Sequence, residues 1–239
     1  MKTIVVTGVS RGLGLSICRR LAADGFKVIG LSRSLSAEYR TLVGCRPEQV
    51  VFRKCDVSDL GRIPDLIREI SRTEGPIFGL VNNAGIGLDG VLATMHQSEI
   101  EAVVRTNLLA PIVVTKYISR AMLSHGEGRI VNISSIIAST GFHGLSVYAA
   151  TKAGLEGFTR SLSRELGKMG ITVNCVAPGY METEMTKGLG GDKLQMVRRR
   201  APLGLPLPKD AAGAVAYLLG PDGARITGTV ITVDGGSTA

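Results

Sequence analysis

The sequence predicts an α/β fold, a single domain built on a doubly wound parallel sheet with helices on both faces. Three observations predict it. Short apolar runs alternate with longer amphipathic stretches along the chain. The runs are short and nearly continuous in apolar residues, as strands buried on both faces should be. A glycine-rich turn joins the first run to the first amphipathic stretch, the place where such sheets bind ligands.

Residues 4–7 read as the first strand. Leu13, Ile17 and Leu21 then recur every fourth position, the buried stripe of a helix. Strands are expected at 27–31 and 49–54, then a helix over 58–73 capped by Ser58. Residues 77–81 form the fourth strand. A long helix over 98–123 should start on a capping box of Ser98 and Glu101. Pro111 should perturb it, having no N–H to donate and a ring that crowds the preceding turn. The rest reads as a strand at 129–133, a second long helix at 146–168, a strand at 171–176, a helix at 209–219 and a last strand at 229–233. Right-handed crossovers wind such a chain into a Rossmann-type sheet whose ligands sit beyond the C-terminal ends of the strands.

Composition narrows the function. With 239 residues, 44% of them hydrophobic, the chain can bury one sizeable core. No run approaches the ~20 apolar residues of a membrane helix. Met1-Lys2 leads straight into residues 3–7 with no signal-peptide core or cleavage site, so a cytoplasmic protein without a membrane partner is expected. Cys18, Cys45, Cys55 and Cys175 show no C-x-x-C spacing. They are expected to be buried, reduced thiols, with no metal site. The net charge is +8, yet Lys and Arg are scattered apart from Arg198-Arg199-Arg200, and no aromatics interleave with that run. Nucleic acid is therefore not an expected partner, while anionic cofactors or substrates would be attracted.

The turn reads Thr7-Gly8-Val9-Ser10-Arg11-Gly12-Leu13-Gly14. Missing Cβ atoms permit a tight turn and let the backbone approach a pyrophosphate, and the helix behind it offers unpaired N–H groups. After the second strand the chain reads Leu31-Ser32-Arg33-Ser34, with no acid to bond a ribose 2′-hydroxyl. Arg33 and Arg11 could instead pair with a 2′-phosphate, so NADP(H) is the expected cofactor. Asp56-Val57, after the third strand, could bond an adenine edge, or Asp56 could simply start a helix.

Tyr148 and Lys152 share one helix face, and Ser135 precedes Tyr148 by thirteen residues at a strand end. A Y-x-x-x-K pair alone arises by chance in roughly a fifth of such chains, and requiring the Ser lowers that to ~1–2%, which makes the trio informative. Hydride reduction of a carbonyl leaves an alkoxide that needs a proton. A free Tyr, with a pKa of ~10, exchanges protons poorly near neutrality, and a nearby ammonium favours its phenolate. A Ser hydroxyl can hold the carbonyl oxygen.

Together, Thr7 to Gly14, Asn82-Asn83-Ala84-Gly85, Asn107, Ser135, Tyr148 with Lys152, and Pro178-Gly179 resemble the motif series of the short-chain dehydrogenase/reductase family, from Met1 to the C-terminus. The resemblance implies that Tyr148 is the general acid in reduction and the base in oxidation. Lys152 would lower the Tyr148 pKa and bond the nicotinamide ribose, Ser135 would orient the carbonyl, and Asn107 would hold a water in a proton relay to Lys152. Gly8, Ser10, Arg11, Gly12, Leu13 and Gly14 would bind the cofactor with Arg33, Asp56 and Val57. Asn83, Ala84 and Gly85 would line the cofactor cleft and stabilise the central sheet, with Pro178 and Gly179 nearby, and Thr183 would bond the carboxamide.

Within that family, residues 174–186, Ile226-Thr227-Gly228 and Val233-Asp234-Gly235-Gly236 resemble the 3-oxoacyl-[acyl-carrier-protein] reductases. That implies reduction of a 3-oxoacyl thioester in a homotetramer built on the two long helices and the last strand. Where those reductases place basic carrier-docking residues before the fifth and sixth strands, this chain has Gly126 and Met169, with His125, Arg129, Lys168 and Arg198 to Arg200 nearby. A reductase of free ketones would use the same residues, and a non-catalytic NADPH sensor would be expected to lose Tyr148 or Lys152. Substrate choice is expected in Ile136, Ile137, Phe142, Tyr180, Met181 and a glycine-containing lid at 182–205. His143 could join them or remain an ordinary loop residue.

Overall fold

The computed structural model describes residues 1–183 and 191–239, with backbone alone at 191–193. Seven parallel strands form one sheet: β1 (Thr3–Thr7), β2 (Lys27–Ser32), β3 (Val50–Lys54), β4 (Ile77–Asn82), β5 (Gly128–Ile133), β6 (Ile171–Pro178) and β7 (Val230–Val233). Their order is β3-β2-β1-β4-β5-β6-β7. The order reverses between β1 and β4, so a crevice opens beyond their C-terminal ends, as doubly wound sheets require.

Strand periodicity divides the core. Ile4 and Val6 of β1 point into one hydrophobic layer and Val5 into the other. The first layer is covered by α1 (Gly12–Ala23), the Tyr39 face of α2 (Ala37–Cys45) and α9 (Pro208–Leu219). The second is covered by α3 (Ile63–Glu74) and α5 (Ala110–Leu123), with Leu166 of α7 (Ser146–Leu166). Leu13, Ile17 and Leu21 are all buried, as their spacing predicts.

The helix starts differ from expectation. Ser58 caps no helix: its N–H and Oγ both donate to Asp56 Oδ1, at 3.0 and 2.7 Å. The chain then makes a 3₁₀ turn at Leu60–Arg62, and α3 begins at Ile63 with Pro64 in its first turn. A proline fits there because first-turn N–H groups lack helical partners. The next helix, α4 (Gln97–Val104), begins before Ser98, and Glu99 rather than Glu101 accepts the N–H of His96 at 3.0 Å. Glu101 accepts from Gln97 instead, at 2.7 Å. Pro111 does perturb the long helix: a π turn at Arg105–Leu109 separates α4 from α5. Among the described residues, α2 and the short α6 (Ile137–Thr140) lie outside the sequence expectation, and the Arg198 to Arg200 run ends a helix, α8 (Gly191–Arg200). Among the cysteines Cys45 is exposed, contrary to expectation, because α2 buries only Tyr39. None of the described helices is long and apolar enough to cross a membrane.

Candidate active site

The glycine turn is shaped by what a side chain would strike. Gly8 takes φ +73°, donates its N–H to Leu31 O at 2.7 Å, and has room for no Cβ, which would lie 2.8 Å from Ala84 Cα. A Cβ on Gly14 would lie 2.1 Å from Gly8 O. These two glycines let the turn fold onto itself and onto the chain after β4. Gly12, at φ +56°, faces outward, with Thr183 Cγ2 3.8 Å from its ideal Cβ position. Arg11 caps α1 only through its extended backbone, no side-chain hydrogen bond covers the helix start, and its first turn holds no acid. Helix N–H groups are therefore left to meet an anion, so the residues present fit a dinucleotide pyrophosphate.

Asn83 binds this turn directly. Its Nδ2 donates to Thr7 O at 2.9 Å and Gly8 O at 3.0 Å, while its own N–H and that of Ala84 donate to Thr7 Oγ1 at 3.0 and 2.9 Å. The Asn83 side chain is thus spent on the turn. Thr7, absent from the sequence-derived site, is the hub of this clamp, and the signal for it was the Thr-Gly pair that opens the motif. Ser10 and the buried Leu13 lie within the same turn and helix start.

Arg11 and Arg33 are both exposed beside this crevice. Asp56, just beyond β3, is held below the usual carboxylate range by its hydrogen bonds from Ser58 and by the charge of Arg33. Arg33 and Asp56 therefore feel one another across the β2 and β3 ends, and Val57 behind them is buried.

The four residues expected to do chemistry come from three places: Tyr148 and Lys152 from α7, Ser135 from the loop after β5 and Asn107 from the π turn. Lys152, on α7, is 4% exposed, and its Nζ donates to Ile133 O at 2.8 Å. The same nitrogen is 5.5 Å from the Tyr148 ring centre. Burial pushes the Lys152 ammonium down to about 8. Burial also raises Tyr148, against a hydrogen bond with Ser135 that pulls the other way. This direction opposes the expected one, because desolvation of the Tyr148 phenol outweighs its hydrogen bond with Ser135. Ser135 Oγ also accepts the N–H of Ile137 at 3.3 Å. Ser134 turns away, donating to Glu156 Oε1 at 2.7 Å and towards Lys152 O at 3.4 Å. Glu156 lay outside every motif, and no local signal marked it.

Asn107 is fully buried in the π turn. Its Oδ1 accepts from Ile86 N and its Nδ2 donates to Ile86 O, both at 2.8 Å. The N–H that an α-helix would offer its main-chain carbonyl, four positions on, is missing, because that residue is Pro111. Gly85 lets Asn107 and Lys152 close in: a Cβ there would lie 3.3 Å from Asn107 Oδ1 and 3.7 Å from Lys152 Nζ.

Below this group runs a buried polar chain. Asn82, Asn132 and Cys175 are register partners across β4, β5 and β6. Asn82 Nδ2 donates to Thr115 Oγ1 at 2.9 Å and Asn132 Oδ1 at 2.8 Å, and Asn132 Nδ2 donates to Thr159 Oγ1 at 2.8 Å. Thr159 meets Cys175 Sγ at 3.1 Å. Burial pushes the Cys175 thiol up to about 11, so it is a packing group and no nucleophile.

Beyond β6, Ile136 N donates to Pro178 O at 3.1 Å, joining the Ser135 loop to the Pro178-Gly179 corner. Met181 packs on the first core layer, and Phe142 and His143 are exposed. The stretch expected as a lid lies partly outside the described residues, Gly188 and Gly190 included. Its described part holds α8, and Arg198 there is paired with Glu182. At the expected carrier-docking positions, Gly126 takes φ +66° and Met169 is exposed. Arg129 is turned inward, with Nη1 2.8 Å from Gly128 O and the guanidinium 5.5 Å from the Phe78 ring centre.

Comparison with known proteins bears on this geometry. A family model described as short chain dehydrogenase matches residues 2–193. The chain is similar to the 3-oxoacyl-[acyl-carrier-protein] reductase FabG of Escherichia coli (strain K12), 39% identical over 98% of this chain and 96% of that one. It is similar at 38% to the reductase of the same name from Vibrio cholerae, with the same coverage. The 3-oxoacyl-[acyl-carrier-protein] reductase MabA of Mycobacterium bovis is 37% identical over 98% of this chain and 92% of that one.

Proposed function

The chain belongs to the short-chain dehydrogenase family, and on that premise we propose that it reduces a 3-oxoacyl thioester to the 3-hydroxyacyl thioester with NADPH. The observation that carries the reading is the convergence of Tyr148, Lys152, Ser135 and Asn107 at the β4 and β5 ends, beside the glycine turn. The similarity to 3-oxoacyl reductases over nearly the whole chain supports the substrate class.

Bound NADPH supplies the hydride that reaches the carbonyl carbon. Gly8, Ser10, Arg11, Gly12, Leu13 and Gly14 hold its pyrophosphate side, with Ala84 and Gly85 along the cleft and Pro178, Gly179 and Thr183 towards the carboxamide. Arg33 and Arg11 take the 2′-phosphate, and Asp56 with Val57 flank the adenine. The absence of an acid after β2 supports NADP(H) over NAD.

Ser135 holds the carbonyl oxygen by a hydrogen bond that strengthens as charge develops there. Tyr148 gives its hydroxyl proton to that oxygen, so one hydride and one proton turn the ketone into the alcohol. Being held neutral by burial, Tyr148 keeps that proton ready to donate. Lys152, while charged, stabilises the phenolate left behind, and the Asn107 carbonyl steadies a water that returns the proton through Lys152. A homotetramer is supported by exposed Val104, Leu109 and Tyr217 on the long helical stretch and α9. A cytoplasmic location rests on Cys18, Cys45, Cys55 and Cys175, which form no disulfide among the described residues.

Gly126 and Met169 favour a second substrate reading, a free ketone that needs no carrier docking. NADPH oxidation with an acetoacetyl thioester, run beside NADH, a panel of free ketones and Tyr148→Phe, tests both. Fast NADPH turnover with the thioester, lost in the variant, is expected. Turnover confined to free ketones moves the substrate to the second reading, and binding without turnover of any carbonyl refutes the reductase reading.

A further inference from the structure

The corner that follows β7 lies far from Tyr148 in the sequence. It is nevertheless among the most tightly bonded pieces of surface in the molecule. Asp234 is 7% exposed. Its Oδ1 accepts the N–H of Gly236 at 2.9 Å. Its Oδ2 accepts from Ser237 Oγ at 3.0 Å, Thr238 N at 2.9 Å and Thr238 Oγ1 at 2.7 Å. Those bonds outweigh burial and hold the carboxyl below its usual range, so it stays charged. They close a turn that needs left-handed backbone at Gly235 (φ +67°) and Gly236 (φ +85°).

Two separate pieces of chain rest on this turn. The first is the exit of β6. Gly179 N donates to Val233 O at 2.9 Å, and a Cβ on Gly179 would lie 2.7 Å from Asp234 Cβ and 2.8 Å from its Cα. The second is the chain that follows α8. Leu203 N donates to Gly235 O at 3.1 Å. A Cβ on Gly235 would lie 2.0 Å from Gly204 O, and one on Gly236 would lie 3.0 Å from Pro202 Cγ. Backbone approach this close leaves little freedom to slide. Gly179 and Ala201–Gly204 are the two roots of the chain that leaves β6 and returns after α8. Near the first root, Thr183 reaches over Gly12 of the cofactor turn and Met181 packs on the core.

We propose that Asp234 is a positioning residue: its carboxylate closes the C-terminal turn, the turn fixes both roots, and the roots set where residues 180–183 and α8 stand over the carbonyl site. Asp234 acts only through these contacts. Loosening the turn therefore misplaces the groups that surround substrate and leaves Tyr148 and Lys152, both on α7, undisturbed. The kinetic consequence rests on the reductase reading, whereas the anchoring does not.

Hydrogen exchange and steady-state kinetics on the intact protein test it, with Asp234→Ala, Asp234→Asn and Thr238→Val beside wild type. In Asp234→Ala, the amides of Gly179 and Leu203 should exchange about tenfold faster or more, with β1 and β4 amides unchanged. The KM for the carbonyl substrate should rise about tenfold, with kcat within about threefold. Asp234→Asn keeps one accepting oxygen and should lie between the two proteins. Thr238→Val removes a single bond, and should raise both readouts about two- to threefold even if Asp234→Ala does not fold. Exchange that rises evenly over the sheet, or at only one root, overturns the proposal, as does a parallel fall of kcat with unchanged KM. If wild type turns over no carbonyl, the reductase reading fails, and exchange at the two roots still decides the anchoring.

Discussion

Lys152 Nζ lies 5.5 Å from the centre of the Tyr148 ring and donates to Ile133 O at 2.8 Å. The β5 carbonyl thus holds the ammonium at the tyrosine while the surrounding protein strips both of water. Burial acts on the two in opposite senses, lowering Lys152 and raising Tyr148, so each is pushed towards its neutral form. A phenolate becomes accessible only when additional negative charge or hydrogen bonding restores the ammonium, which couples proton transfer to occupancy of the site.

Tyr148→Phe removes the proton donor and leaves the ring in place. Carbonyl reduction should fall about 10³-fold in kcat, within the range for a general acid, with NADPH affinity changed by less than about threefold. Single-turnover kinetics and NADPH fluorescence separate the two. Retention of more than about a tenth of kcat would remove Tyr148 from the role of acid.

The Lys152 shift is also a statement about stability. Its ordinary pKa of 10.5 falls to about 8 in the fold. Between those values the unfolded chain carries a proton at this site that the folded chain has released, so stability rises with pH across the window and falls as pH drops through about 8. The full difference is on the order of 3 kcal/mol. Lys152→Met lacks this term, so wild type should gain on it in urea unfolding as pH goes from about 7 to about 10. Tyr148 runs the other way at the top of the range: raised above 10, it keeps its proton in the fold, and stability falls as pH climbs past that value. A gap that stays constant over the whole range would mean that Lys152 is not desolvated.

Arg33 stands where an NAD-preferring site would carry an acid, and its charge reaches Asp56 at the end of β3. Arg33→Asp should repel a 2′-phosphate and accept from a 2′-hydroxyl, moving the ratio of kcat/KM for NADPH over NADH down by about 100-fold or more. The ratio, measured on one preparation, cancels losses common to both cofactors. An unchanged ratio would place 2′-phosphate recognition elsewhere, with Arg11 the next residue to test.

The reach of the sequence follows from the range of the interactions involved. The stripe Leu13, Ile17 and Leu21 was legible because one helix face meets one continuous core layer. So were the strands, within a residue or two at their ends, since central ones such as β1, β4 and β6 are buried along their whole length. Helix α2 was not, because it buries only Tyr39 and shows no apolar period. The Ser58 and Ser98 caps failed for a local reason: Asp56 offers Ser58 a competing turn, and Glu99 reaches back to His96 two residues earlier than the pattern suggested. The main catalytic candidates were legible as residue types at fixed spacing. Their supports were not, since Ser134 with Glu156, and Asp234 with both roots, are brought together only by folding.

The same distinction sets the outcome at Asn132, which is fully buried and lies at the middle of the polar chain beneath Lys152. It accepts from Asn82 and donates to Thr159, both at 2.8 Å. Asn132→Leu nearly conserves volume but takes an acceptor from Asn82 and a donor from Thr159. Each group has another partner, Thr115 for Asn82 and Cys175 for Thr159, so neither is left fully orphaned. The cost should therefore be about 2–3 kcal/mol rather than the larger sum of two unsatisfied polar groups. Because β5 carries both Asn132 and the Ile133 carbonyl that holds Lys152, kcat should fall along with the urea midpoint. Asn132→Asp separates the two effects. It keeps the acceptor towards Asn82 but loses the donor to Thr159, and places a carboxylate beneath the ammonium. If buried Lys152 limits catalysis by its low proton affinity, that variant should lose stability yet shift the alkaline limb of the kcat/KM profile to higher pH. A limb that stays put would show that the polar chain supports the sheet without reaching the ammonium.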